Sequence, residues 1–343
     1  FRINMSEKGE NQISNHEETH LLSSSSGQNS SPSKKKKEKI NNSKSNEQRG
    51  SEEDNNDNSN KKEYKLYSMR WVILFFFTTS IAASGLSMIG LSAITPIIID
   101  IYGIPTILTT FLVLPYIILF IPLIFPVNHL IQHYGIRLPV IIASLTLVAG
   151  CWVRLLCNKS FYFVIAGQVI MAIGQPFVLS TPAKLAGLWF GDKERAIATI
   201  CGSLAAPIGA VVAYLLPLPL IHDSDSNPGA DGKGKFFRYL LIQNVIITVL
   251  GLPIIFFIKN IPPTPPSSSA EKALKKKPDG QIESIKKLLK NRDFILVVIS
   301  FSSVYTVYTT LGAAIGPLTK AFNFDSAANS VYGSMYIAGG LIC

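Results

Sequence analysis

Residues 71–99 read WVILFFFTTSIAASGLSMIGLSAITPIII and contain no Asp, Glu, Lys, Arg or His. A helix crosses the hydrocarbon core of a bilayer with about 20 apolar residues, so this stretch is long enough to span. It lacks the strict alternation of a barrel strand, and in lipid every backbone N–H and C=O must be bonded within its own segment, which leaves the helix. The same reading repeats at 101–127, 138–153, 160–183, 196–221, 239–258, 294–319 and 326–343, eight charge-free stretches in all. A soluble protein with buried helices would need polar faces on its outer helices, and these stretches have none. The expected fold class is an all-α membrane protein.

Charge assigns the sides. The chain is 48% hydrophobic and 16% charged with a formal net charge of +10, and the excess reads as basic residues gathered on one face of a membrane rather than as a nucleic-acid surface. Lys61, Lys62, Lys65 and Arg70 precede the first stretch, Arg137 lies between the second and third, and Lys184, Lys193 and Arg195 between the fourth and fifth. Nine Lys and Arg residues follow between the sixth and seventh, from Lys259 to Arg292. All of these fall on one side, so the N-terminus is expected in the cytoplasm. Arg154 and Lys159, between the third and fourth stretches, are exceptions, and Lys233, Lys235 and Arg238, between the fifth and sixth, are partly offset by Asp223, Asp225 and Asp231.

Four regions follow. Residues 1–68, with the runs Ser23–Ser26 and Lys34–Lys37, bury too little apolar surface to offset their ordering entropy and are expected to form a disordered cytoplasmic tail. Met5 is a candidate start, and the polar N-terminus leads us to expect no signal peptide. Residues 69–258 form an N-terminal six-helix bundle, 259–293 a basic cytoplasmic loop, and 294–343 the first two helices of a second half, truncated because the eighth stretch is still running at Cys343. Within the loop, the Pro- and Ser-rich run 262–269 reads as irregular. Residues 281–290 place Ile282, Ile285, Leu288 and Leu289 on one helical face beside Lys286, Lys287 and Lys290, as in a helix lying in the membrane interface. The cysteines Cys151, Cys157, Cys201 and Cys343 show neither metal nor disulfide spacing and read as small core residues.

No phosphate loop, HExxH zinc motif or nucleophile elbow is present, so neither an enzyme, a metal site nor a cofactor is expected. The centres of helices 1–7 carry no Asp, Glu, Lys, Arg or His, which argues against proton coupling. The polar residues that do lie there are neutral: Gln168 and Gln175 on one face of helix 4, Tyr305 and Tyr308 on helix 7, and Tyr116 on helix 2, with Met88 on helix 1. Amides with aromatic faces suit a flat or quaternary cation rather than a phosphate. Pro176, Pro182 and Pro207 kink helices, and Gly167, Gly174, Gly202 and Gly209 allow close approach, as a rocking bundle requires.

Residues 167–191, GQVIMAIGQPFVLSTPAKLAGLWFG, resemble helix 4 and the following loop of the feline leukaemia virus subgroup C receptor family, the solute carrier 49 branch of the major facilitator superfamily. Met69-Arg70-Trp71, Tyr102-Gly103, Ile121-Pro122-Leu123 and Pro126-Val127 are similar too, while Gly191–Ala198, GDKERAIA, is nearer to the lysosomal vitamin-transporter member. The resemblance covers residues 69–343 and implies a carrier built from two six-helix halves around a central site. It implies a small organic solute: choline, ethanolamine, haem or pyridoxine in the better-known members. Of the positions that hold the cation in the choline-transporting members, the Gln falls at Gln175 and the Tyr at Tyr305. The Trp position is Met88 and the Asn position Ala206, so one wall of the aromatic cage is absent. In the loop motif between helices 2 and 3, residues 128–137 keep Gly135 and Arg137 as gating-loop residues but carry Gln132 at the acidic position.

The expectation is therefore an alternating-access transporter of a choline-like cation or vitamin-like ring, not proton-coupled and not an enzyme. Gln175, Tyr305, Met88 and Tyr116 would bind substrate. Its partners would be the solute and the bilayer of the plasma or an endolysosomal membrane, with no nucleic acid and a monomeric state. Two alternatives stand beside it: a haem exporter of the same family, and a non-transporting receptor or truncated fragment.

Overall fold

The computed structural model describes residues 64–222, 230–275, 280–320, 322 and 324–342. These belong to the second of two units into which the chain divides, Glu63–Cys343. The expected tail up to residue 63 and Cys343 lie outside the described residues, as do Asp223 and Asp225.

Every described element is helical. The order is α1 (Met69–Ile89), α2 (Thr95–Tyr102), α3 (Thr106–Thr110), α4 (Leu114–Ile118), α5 (Phe120–Tyr134), α6 (Arg137–Arg154), a short 3-10 turn (Leu155–Asn158), α7 (Phe161–Leu179) and α8 (Pro182–Trp189). It continues with α9 (Arg195–Leu215), α10 (Ala230–Gly251), α11 (Ile254–Phe257), α12 (Ser268–Lys275), α13 (Gln281–Leu289), α14 (Arg292–Lys320) and α15 (Ser326–Ile342). Among the described residues six helical stretches are long and apolar enough to cross a membrane: Met69–Ile89, Arg137–Asn158, Phe161–Trp189, Arg195–Leu215, Asp231–Phe257 and Arg292–Gly312.

Prolines explain why the second apolar stretch is not one of them. Pro115 and Pro122 have no N–H to give to the carbonyls of Phe111 and Ile118. The chain accordingly breaks just before each, at 111–113 and at Leu119, and continues as α3, α4 and α5. The first stretch is divided too. Its helix stops at Ile89 and resumes at Thr95, one residue before Pro96. The last, α15, is uninterrupted but has 17 residues.

Packing orders the bundle. α6 lies along α7, α1 along α9 and α10, and α15 along α9. The α1–α9 contact is backbone against backbone: a Cβ on Gly209 would stand 1.9 Å from the Ala82 carbonyl oxygen, and one on Gly85 2.1 Å from that of Ala206. In lipid such close packing is itself the driving force for helix association. The outward faces remain apolar, with Phe75, Ile121, Tyr162, Ile197 and Val249 exposed, and a bilayer is the solvent that suits them. Cys201 is on this outer surface, whereas Cys151 and Cys157 are buried; the core reading of the cysteines thus fails for Cys201, which an α9 face turned to lipid accommodates.

The basic connections gather into a clasp. Arg70, only 9% exposed, binds Glu194 at 3.0 Å, and its guanidinium lies over the rings of Trp71 and Phe190. Arg195 bonds Asp192 at 3.2 Å and the Ser269 hydroxyl at 2.9 Å, and Ser267 and Ser269 both donate to Asp192. The run 262–269, expected to be irregular, therefore ends in the start of α12, which packs on α8. α13 falls where the amphipathic pattern placed it, with Ile285, Leu288 and Leu289 exposed on its surface.

Candidate functional site

Three of the four expected substrate residues come together. Met88, near the C-terminal end of α1, packs against the cluster of Ala83, Leu86, Tyr116, Leu147, Cys151, Met171 and Ile247. Gln175 on α7 reaches it from the side, its Nε2 donating to Met88 Sδ at 3.5 Å. Gln175 is half-buried, and its Oε1 is buried without a hydrogen-bond partner. Tyr116 is itself buried, at 3% exposure, and its hydroxyl donates to Gln168 Oε1 at 3.0 Å. It is a wall behind Gln168 rather than an open face.

Tyr305 stands apart from these three. It is 52% exposed on α14, in a ladder in which its ring stacks on Phe301 at 5.8 Å and meets Tyr308 at 6.4 Å, while Tyr308 stacks on Tyr336 at 5.6 Å. Tyr308 packs into the cluster of Ala93, Ala210, Tyr214 and Ile337, which Ile89 also joins. The ladder thus shares a buried cluster with Ile89, the chain neighbour of Met88. Ala206 is packed at the α1 crossing, beside Gly85.

Gly135 and Arg137 form a separate structure at the basic end. Gly135 has φ +80°, and a Cβ there would meet Asn260 Oδ1 at 2.6 Å. That same oxygen accepts the Arg137 backbone N–H at 2.8 Å. Glycine is needed for both the positive φ and the close approach. The Arg137 side chain is exposed, so it is the backbone that makes this contact. Lys184 Nζ donates to the Ile131 carbonyl in the same region.

One residue read as a loop charge is not in a loop. Arg154 is the last residue of α6 and is fully buried. Its Nη2 donates to Asn244 Oδ1 at 3.0 Å, to Gln243 Oε1 at 3.3 Å and to Cys151 Sγ at 3.6 Å. Gln243 Nε2 then reaches the Leu86 carbonyl at 3.3 Å, and Tyr239 donates to the Gly90 carbonyl. α10 therefore supplies a donor to the Gly90 carbonyl just past the end of α1, and a second donor to the Leu86 carbonyl, which also accepts the Gly90 N–H at 3.1 Å. The interior is thus not free of charge, although a guanidinium does not lose its proton and cannot act as a proton carrier. The signal that could have found this node was the Gln243-Asn244 pair in an otherwise apolar stretch. Among the described residues no three His, Cys, Asp or Glu side chains gather as metal ligands would.

Comparison with known proteins defines the class. The model of the Major Facilitator Superfamily matches residues 34–343, and the chain belongs to that superfamily. A bacterial homologue of the human lysosomal transporter Spinster, solved inward-facing and unoccupied, shares the fold with a TM-score of 0.57 at 16% identity, over 80% of this chain and 60% of that one.

Within the superfamily the chain falls in the branch of the feline leukaemia virus subgroup C receptor-like, solute carrier 49 proteins. It is 29% identical over 264 residues to the choline/ethanolamine transporter flvcr2a of Danio rerio, covering 73% of this chain and 55% of the relative. It is 28% identical over 283 residues to the choline/ethanolamine transporter FLVCR1 of Felis catus, 80% of this chain and 50% of the relative. To solute carrier family 49 member A3 of Xenopus tropicalis it is 24% identical over 297 residues, 82% and 58%. The chain spans about half the length of the curated relatives it matches.

Proposed function

We propose that this protein carries a small organic solute across a membrane by alternating access without proton coupling, the solute being a choline-like cation or a vitamin-like ring. The observation that carries this reading is the Gln175 amide, held beside Met88 with a buried acceptor that has no partner. Leaving such an oxygen bare costs about 1–3 kcal/mol, which a hydroxyl or N–H of a substrate recovers. The aromatic ladder at Tyr305 offers π faces of the kind that attract cations. The choline/ethanolamine transporters among the relatives agree with both features.

In this reading Gln175 hydrogen-bonds the solute, Tyr305 stacks on it, Met88 lines the site and Tyr116 backs it through Gln168. The clasp around Arg70 and Glu194 and, separately, the turn at Gly135 and Arg137 close the cytoplasmic side, with the N-terminus on that side. The membrane is the plasma or an endolysosomal one. The protein works as a monomer and catalyses no reaction. The test is uptake of labelled choline, competed by ethanolamine, pyridoxine and haem, in cells expressing the protein. Gln175→Ala and Tyr305→Ala should each lower uptake several-fold at unchanged membrane expression. Normal uptake in both removes this site, and competition by haem alone moves the reading to the haem-export alternative.

A further inference from the structure

Arg154 has more donors than the protein satisfies. Its Nη2 carries all three of its hydrogen bonds, and its buried Nε and Nη1 have no partner. No carboxylate pairs with it among the described residues: the groups around Nη2 are the neutral amides of Gln243 and Asn244 and the Cys151 thiol. A charge taken out of water without a counter-charge costs several kcal/mol, and amide dipoles offset only part of that. A fourth element adds another bare donor. The Arg154 side chain lies against α7 at Gly167, where a Cβ would come within 2.4 Å of Arg154 Cγ. The next residue, Gln168, is fully buried with its Oε1 committed to Tyr116 and its Nε2 unpartnered.

We propose that this node binds a small monovalent inorganic anion of halide size, held by Arg154 Nε and Nη1 with Gln168 Nε2. The chemistry selects the class. Every bare group is an N–H donor and one carries a full positive charge, so the ligand is an anion. The close packing of α6 on α7 around Gly167 favours a small ion over a phosphate or an organic acid. The place gives the ion a role. Through Gln243 the guanidinium is tied to the Leu86 carbonyl at the interruption of α1, two residues before Met88. Gln168 and Gln175 are seven residues apart on α7, about 10 Å. A bound anion therefore cancels a buried positive charge beside a site proposed for a cation, while holding the end of α1 in place. The ion site itself does not depend on which solute is carried.

The test is thermal unfolding of the purified protein in detergent, titrated with sodium chloride or bromide against sodium gluconate at constant ionic strength. One-site linkage predicts little shift below the dissociation constant for chloride and, above it, a rise of roughly 3 °C for each tenfold of chloride. Gluconate, too large to enter, should give none. Arg154→Gln should lose the halide response. Asn244→Asp supplies an internal carboxylate beside Nη2 while giving up the Asn244 Nδ2 bond to the Cys151 carbonyl at 2.6 Å; by neutralising the guanidinium it should lose the halide response. Equal behaviour of chloride and gluconate in the wild type overturns the proposal. So does a halide response that persists in Asn244→Asp, the variant that decides the matter if Arg154→Gln does not fold.

Discussion

Gly209→Ala is a one-methyl change whose cost can be worked from the α1–α9 crossing. The added Cβ would stand 1.9 Å from the Ala82 carbonyl oxygen and 2.6 Å from its carbon. An ordinary contact is about 3.4 Å, so the two backbones must part by about 1.5 Å (3.4 − 1.9), and neither can rotate away because Gly85 meets Ala206 one turn along. Forcing extra volume into a packed contact costs about 1–3 kcal/mol. In lipid no hydrophobic term between helices softens that loss. The expected result is unfolding lower by roughly 3–10 °C, read by intrinsic fluorescence of the purified protein. The displacement also carries Met88 away from Gln175, so affinity for solute should fall with it. Gly187→Ala is the control: it sits in α8 with nothing within 4 Å of its Cβ position and should stabilise by about 0.5–1 kcal/mol through helix propensity alone. A Gly209→Ala protein as stable as the wild type would refute the backbone-contact argument.

Two further outcomes follow from the site and the clasp. Met88→Trp places an aromatic face beside Gln175, and by cation–π attraction of about 0.5–2 kcal/mol should raise affinity for a quaternary ammonium roughly 2–30-fold, measured by competition with labelled choline; unchanged affinity argues against a cation at Met88. Glu194→Gln removes the ion pair of the largely buried Arg70, with a cost of about 1.5–3 kcal/mol expected from hydrogen bonds to charged groups. It should make the basic face more accessible to a membrane-impermeant thiol reagent at a cysteine introduced there, and unaltered labelling would show that the clasp does not hold that face shut.

The helices were legible because lipid imposes one requirement on all of them: a long run without charge, whatever its residues. Where those runs break is a subtler matter, yet the signs were present as Pro96, Pro115 and Pro122, each of which withdraws one N–H from the ladder four residues back. Gly135 could be read for the same reason, since only one residue type tolerates its backbone at no cost. α12 was not foreseen. Its run of Pro and Ser carries no periodicity, and it is held by Asp192 and Arg195 from 75 or so residues away, a tertiary effect that no window along the chain contains.

The site was half legible for a related reason. Gln168 and Gln175 share a helix face, so their proximity follows from the 3.6-residue turn alone, and Met88 stands out on helix 1 before the resemblance gives it a position in the site. Arg154 went unrecognised because charge beside an apolar run normally means a loop, and its burial depends on three partners contributed by other helices: the gap at Gly167 on α7 and the amides of Gln243 and Asn244 on α10. Side-chain polarity in the sixth stretch was the only trace of that arrangement in the chain. A polar pair in a span has to be satisfied by something, and here it answers two needs at once, a second bond to the Leu86 carbonyl near the end of α1 and acceptors for the guanidinium at the end of α6. That double use explains why a charge can be kept within the third span without an acid beside it, and why the protein's remaining unmet demand there is for an anion.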